Sequence, residues 1–443
     1  MAWKNEPRQA PTGVSVLCGT PCCAIAICAM KRPEILAPAG SMETLQTACI
    51  YGADAVYLGL RGDSSLRAFA KNFSPEELRE AVNFAHTKGV KVYLALNTYP
   101  HDQQYEGLSG LVRFAAQEAD IDAVIVSDIG VLSLVRQINP TLPVHLSTQA
   151  NAVSAHAVNA WAALGVSRVI LARELSKEEI RLIRENTDIE LEIFIHGSVC
   201  ISISGRCLIS NYLCDRDSNQ GQCTQPCRWN YALVEKTRPG QYMPVAEEDG
   251  FTSLYNSKDL CLLPVFDQVM DLGLDGIKIE GRNKAPLYVA TIVSAYKHAR
   301  DEYMRDPTAF FVKQEWIEEI GRVSNRAYFT GFFTGRPDST GIKYGFKGYE
   351  QTHHLAAKVI GIQDGITIME ARNPLIAGME LEWLAVDGTR QSFILEGAFS
   401  EGAPIERIRP SQVFAVKTPF VPGPGELVRK PFSKGDKIIQ GKI

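Results

Sequence analysis

The sequence predicts an α/β chain: a (β/α)8 TIM-like barrel that carries an inserted cysteine-rich loop and is followed by a small C-terminal β-barrel domain. Three observations carry this expectation. Eight short apolar runs alternate with amphipathic helical patterns between residues 34 and 280. Five of the chain's 11 cysteines fall within residues 196–229, after the seventh run. From residue 352 to 420 the pattern changes to short alternating runs broken by Gly, Asp and Pro, such as AAKVIGI, GITIMEA and MELEWLAV.

Taken in order, residues 1–29 hold Cys18, Cys22, Cys23 and Cys28 in an apolar run broken by Gly19, Thr20 and Pro21. They lack a convincing secretory cleavage site and read as a disordered leader or the product of an upstream start codon. A chain beginning at Met30 is expected to fold and act like the whole. The expected barrel strands are 34–37, 55–59, 91–97, 123–127, 144–147, 167–172, 190–196 and 276–280. Between them SMETLQTACIYG, SPEELREAVNFAHTKG and SKEEIRLIRENT each open on Ser with Glu two or three residues on, the signature of a capped helix start. An open doubly wound sheet is the competing topology, and no Gly-rich dinucleotide fingerprint supports it.

In such a barrel chemistry sits where strands end. The residues there include Gly40, Tyr57, Asn97, Asp128, Ser147 and Gln149, and above all Arg173, Glu174, His196, Lys278, Glu280 and Arg282. His196 reads equally as a core histidine, and Arg173–Glu174 and Glu280–Arg282 as rim ion pairs. Residues 231–254 read as an inserted β-hairpin, while Cys49 and Cys261 read as buried hydrophobes on helices. The barrel is expected to span 30–305, a helical connector 306–350 and the β-barrel domain 351–443. The last segment, LVRKPFSKGDKIIQGKI, reads as a basic tail with Arg429, Lys430, Lys434, Lys437 and Lys442.

Hydrophobic content of 45% and charged content of 22% are ordinary for a globular protein, and no apolar stretch reaches membrane-spanning length. The net charge of −4, from 46 basic and 50 acidic residues, excludes a generally basic nucleic-acid binder. Any RNA contact must come from a local patch. The cysteine usage is unlike a disulfide-dense secreted domain and points to the cytoplasm.

Cys200, Cys207, Cys223 and Cys227 are spaced C-x6-C-x15-C-x3-C in a stretch rich in Gly and turn residues. The pattern suits thiolates converging on one point. It fits the tight C-x2–4-C knuckles of structural zinc poorly, and it leaves an Fe–S cluster, zinc and free thiols open. Cys214, a fifth thiol in the same run, leaves the ligand set ambiguous.

The run matches H-G-x-x-C-x6-C-x15-C-x3-C-R-W at His196, Gly197, the four cysteines, Arg228 and Trp229. With LAPAG at 36–40, YGADAVYLG at 51–59, HLSTQAN at 145–151, RVILARELS at 168–176, NSKDL at 256–260 and GIKIEGR at 276–282, it resembles the collagenase-like peptidase family, most closely its bacterial tRNA hydroxylation branch. The resemblance implies an Fe–S protein, with one cluster, [4Fe–4S], on Cys200, Cys207, Cys223 and Cys227. It also implies hydroxylation of the wobble uridine in the tRNA anticodon loop to 5-hydroxyuridine, with prephenate as hydroxyl donor. Another branch takes its fourth cysteine farther downstream, which makes Cys261 a reserve ligand. Prephenate is a dicarboxylate, so Arg67, Arg173, Arg206 and Arg282 are its candidate partners. The alternative is the protein hydrolysis that the family name advertises. No G-x-S-x-G elbow or HEXXH is present, and taking Cys200 as nucleophile leaves its three companions unexplained.

Overall fold

The computed structural model describes residues 31–61, 71–200, 202–203, 206–228, 247–248, 251–252, 257–337, 341 and 349–432. The leader, Arg67, Trp229 and the last lysines therefore lie outside the described residues.

Seven strands and six helices alternate first. They are β1 (Glu34–Pro38), α1 (Met42–Tyr51), β2 (Ala55–Leu58), α2 (Pro75–Thr87), β3 (Lys91–Leu96), α3 (Tyr105–Gln117) and β4 (Ala123–Val126). Then come α4 (Ile129–Ile138), β5 (Val144–Leu146), α5 (Ala155–Ala163), β6 (Arg168–Ile170), α6 (Lys177–Glu185) and β7 (Glu190–Ser198). The cysteine loop with α7 (Ile209–Cys214) follows, then the short pair β8 (Glu247–Glu248) and β9 (Phe251–Thr252), which is antiparallel. These are the only described residues of the expected hairpin. Next stand β10 (Asp259–Cys261), α8 (Phe266–Met270), β11 (Gly276–Ile279), α9 (Pro286–Arg305), α10 (Gln314–Gly321) and β12 (Tyr328–Phe329).

Strands β1 to β7 and β11 pair in parallel, and β11 joins β7 to β1, closing an eight-stranded barrel. Their side chains are buried on both faces, as an all-parallel sheet wrapped in helices requires. The serine-led helix starts are capped as the sequence predicts. Ser74 and Ser176 form capping boxes with Glu77 and Glu179, whereas Ser41 closes its box with Thr44.

Cys261 departs from expectation: it lies in β10, a strand, not a helix. β10 runs antiparallel to β7 and sets Asp259, Leu260 and Cys261 opposite Ser198, Gly197 and His196. This edge pairing overrides the weak helical signal of a short apolar run.

The C-terminal strands are β13 (His353–Gln363), β14 (Ile366–Ala371), β15 (Leu375–Ile376), β16 (Glu380–Leu384), β17 (Arg390–Ile394) and β18 (Phe399–Ser400). They end with β19 (Ala403–Pro404), β20 (Arg407–Ile408), β21 (Val413–Val416) and β22 (Leu427–Pro431). Eight of them form an antiparallel sheet with its own core of residues such as Val359, Met369, Leu381 and Phe414. The first part of the expected basic tail is corrected here: β22 lies inside the sheet, paired with both β13 and β16, while Lys434, Lys437 and Lys442 lie outside the described residues. Arg429 is fully buried on β22, held by Glu319 of α10 and Glu382 of β16. That guanidinium is spent inside the fold and is closed to RNA. Tyr51 of α1 ties barrel to sheet, donating to the Leu384 carbonyl at 2.7 Å and accepting from the Leu427 N–H at 2.9 Å. Among the described residues no helix is long and apolar enough to cross a membrane.

Candidate functional site

The site lies where β7 and β11 end and β10 begins. Backbones there are too close for any side chain at two glycines. A Cβ at Gly197, whose φ of 111° favours glycine, would stand 2.7 Å from the Glu280 carbonyl oxygen, and one at Gly40 would stand 1.8 Å from that of Arg282. The H-G and LAPAG motifs thus set the spacing of the strand ends.

Lys278 projects from β11 into the barrel, almost wholly buried. Its Nζ lies 3.9 Å from the Tyr57 ring centre, 5.6 Å from that of Phe194 and 3.6 Å from Glu192 Oε1, with no hydrogen bond of its own. Desolvation lowers its pKa to about 8, although the Glu192 carboxylate favours the charged form. The Arg173 guanidinium lies over the same Phe194 ring, 3.8 Å from its centre, and donates to the Ser198 carbonyl at 2.6 Å. Arg282 is buried nearby, and its charge also disfavours protonation of Lys278. Beneath them Arg168 bridges Glu192 and Glu34. The arrangement gathers Arg173 and Lys278 over the rings of Tyr57 and Phe194 with the charge of Arg282 beside them, chemistry that suits a small carboxylate.

The other three expected residues have different settings. His196 is 1% exposed, ringed by Tyr288, Tyr296 and Tyr328 with ring centres 5.0–6.0 Å away. Burial lowers its pKa to about 3, opposed by Asp259, so the imidazole is neutral. It is part of the barrel wall. Glu280 accepts the Ser198 N–H at 3.3 Å, which makes it a backbone anchor. Glu174 is half-buried at the start of the loop after β6.

The cysteine loop is fastened across the mouth of the barrel. Arg206, immediately before Cys207, donates to the Gln149 carbonyl and to the Tyr99 hydroxyl, both at 3.0 Å. Gln220 donates to the Tyr99 carbonyl. These two side chains join the loop to the turns after β3 and β5. Arg206, a sequence candidate for binding a carboxylate, is therefore a clasp.

Cys200, Cys207, Cys214, Cys223 and Cys227 are all half-buried. Backbone N–H groups point at two of the sulfurs, Ile209 at Cys207 and Gln225 at Cys223, each at 3.4 Å. Hydrogen bonds to sulfur of this kind tune Fe–S clusters. Cys214 instead accepts from the Thr224 hydroxyl at 3.3 Å. An all-sulfur donor set fits iron–sulfur or other soft-metal chemistry and not a hard cation. Among the described residues no three His, Cys, Asp or Glu side chains stand close enough to hold one ion, so the donors fit by type while their convergence is not displayed.

Sequence reasoning missed Asp259, Arg326, Phe194 and the buried Arg168–Glu192 pair. Asp259 lies in NSKDL, and Arg168 opens RVILARELS, where a charge beside an apolar run was the available signal. Arg326, in RAYFTG, had none beyond its aromatic surroundings.

Comparison with known proteins gives a consistent family picture. The family model described as Peptidase family U32 matches residues 40–343. The chain is 37% identical over 404 residues to tRNA hydroxylation protein P1 of Bacillus subtilis, covering 90% of this chain and 95% of that one. It is 32% identical over 422 residues to tRNA hydroxylation protein P of Escherichia coli, covering 85% and 92%. An uncharacterized protease of Methanocaldococcus jannaschii is 40% identical over 310 residues, covering 69% and 74%.

Proposed function

The chain belongs to peptidase family U32, and on that premise we propose that it acts in tRNA hydroxylation, forming 5-hydroxyuridine at the wobble position with prephenate as hydroxyl donor. The observation that carries the reading is a thiol-rich loop fastened across a barrel mouth that holds Arg173 and Lys278 over aromatic rings. Cys200, Cys207, Cys223 and Cys227 would hold an Fe–S cluster, which when bound supplies electron transfer or an open iron site. Lys278, Arg173 and Arg282 bind the two carboxylates of the donor, and the Tyr57 and Phe194 rings exclude water beneath it. His196 stays neutral and fixes the wall between β7 and β10. The anticodon loop approaches from outside, its unstacked bases free to reach the mouth.

Peptide hydrolysis finds less support in this geometry. The cysteine opposite His196 is Cys261, and burial raises its thiol to about 11. Both side chains are sealed in the core, where no peptide reaches them.

The test is twofold and uses protein purified without oxygen. Iron and acid-labile sulfide should be present in the parent and largely lost on Ser substitution of Cys200, Cys207, Cys223 or Cys227, but kept in Cys49→Ser and Cys214→Ser. Prephenate should bind, and Arg173→Ala and Lys278→Met should each weaken it by about tenfold or more while iron is retained. Iron that survives loss of Cys200, or prephenate binding indifferent to both cations, overturns the reading.

A further inference from the structure

Ser198, the last residue of β7, and Val199 lead to Cys200, and four side chains from separate segments grip them. Glu280 accepts the Ser198 N–H at 3.3 Å, Arg173 donates to the Ser198 carbonyl at 2.6 Å, Arg326 donates to Ser198 Oγ at 2.8 Å, and Ser257 donates to the Val199 carbonyl at 3.0 Å. Arg326 is the deepest of the four, 2% exposed. Asp259 fixes it twice, accepting from its guanidinium at 2.5 Å and from its backbone N–H at 3.2 Å. The Tyr349 hydroxyl accepts from its other terminal nitrogen at 3.3 Å. Asp259 is itself the cross-strand partner of Ser198. The planar fork of an arginine thus meets a carboxylate and a hydroxyl at once, which a lysine ammonium does not reproduce.

A buried ion pair adds little stability over packed apolar side chains, and its best-attested use is to specify geometry. We propose that Arg326 is a positioning residue for the first thiolate: with Asp259 it holds the Ser198–Val199 stem, and so fixes the direction in which Cys200 leaves the barrel mouth. This rests on the reading of Cys200 as a cluster ligand. It adds to that reading a residue lying more than a hundred positions beyond Cys200, in the segment after α10.

The experiment measures alkylation of each cysteine in the full-length, iron-free protein by iodoacetamide under native conditions, resolved by peptide mass spectrometry. Arg326→Met should raise the Cys200 rate about fivefold, the shift that loss of one hydrogen bond produces. Cys223 should keep its parent rate, and the core thiols Cys49 and Cys261 should stay protected. Ser198→Ala removes the same grip while leaving the Arg326–Asp259 pair, and should act in the same direction. If Arg326→Met also exposes Cys49 and Cys261 the variant has unfolded, and Ser198→Ala alone decides. A Cys200 rate equal to the parent's in the folded variants overturns the proposal. On reconstituted protein, Arg326→Met should release iron to a chelator faster than the parent. Failure of every form to hold iron would refute the cluster reading, while the alkylation rates still judge the positioning.

Discussion

His196 is a core imidazole whose burial holds its pKa near 3, against an ordinary value of 6.5. Between those two pH values the unfolded chain takes up a proton that the folded chain refuses. The unfolded state then binds more protons, so stability falls as pH drops through the window, by about 1.4 kcal/mol per pH unit for a single group. His145, also buried and lowered, contributes with the same sign. Denaturant titrations at several pH values between 7 and 4 should show His196→Gln with a shallower acid dependence than the parent; an unchanged slope would show that the imidazole titrates normally in the fold. Gly40 makes a second residue-scale claim. Its neighbour is the rigid carbonyl of Arg282, so Gly40→Ala should cost about 3 kcal/mol, read as a lowered denaturation midpoint. At this scale the sequence showed which residues meet, since Arg173, Lys278 and Arg282 do gather at the strand ends. It did not show that His196 and Glu280 serve the wall and the backbone, because a polar residue at a strand end looks alike whether it faces substrate or a buried N–H.

Whole elements were more legible than single side chains. Short apolar runs between amphipathic helical patterns, three of them opening on a Ser cap, marked all eight barrel strands, because a wrapped parallel sheet demands strands that are apolar on both faces. The strand β10 was missed because three residues cannot announce a period, and only tertiary pairing with β7 makes them extended. β22 was missed for another reason: Arg429 and Lys430 look like a solvated end unless their buried partners are known. The cysteine loop offers the test at this scale. Its clasp consists of a few hydrogen bonds from Arg206 and Gln220, so Arg206→Ala should leave global stability within about 1 kcal/mol of the parent. Limited proteolysis should nevertheless cut residues 206–228 faster; equal cutting rates would mean that the loop is held elsewhere.

At the scale of the whole molecule, a charged joint links α10 to the C-terminal sheet. Burial alone would raise the Glu319 carboxyl, and the hydrogen bonds of Arg429, with Arg390 and Arg322 beside it, bring it below the usual carboxylate range. Arg429→Met would strand Glu319 and Glu382 without their central cation, at a cost of about 3–5 kcal/mol measurable by thermal or denaturant unfolding. A near-neutral result would mean that the joint is not held by this pair. The proposed action on tRNA is what gives the loop and the cations of the barrel mouth a common purpose. The most direct measurement is therefore the nucleoside composition of bulk tRNA, by mass spectrometry, from a strain without this gene and without any parallel hydroxylation route. The account predicts loss of 5-hydroxyuridine and its derivatives, the same loss when prephenate synthesis is blocked, and restoration by the parent gene but not by Cys200→Ser. An unchanged nucleoside profile in that strain would contradict it.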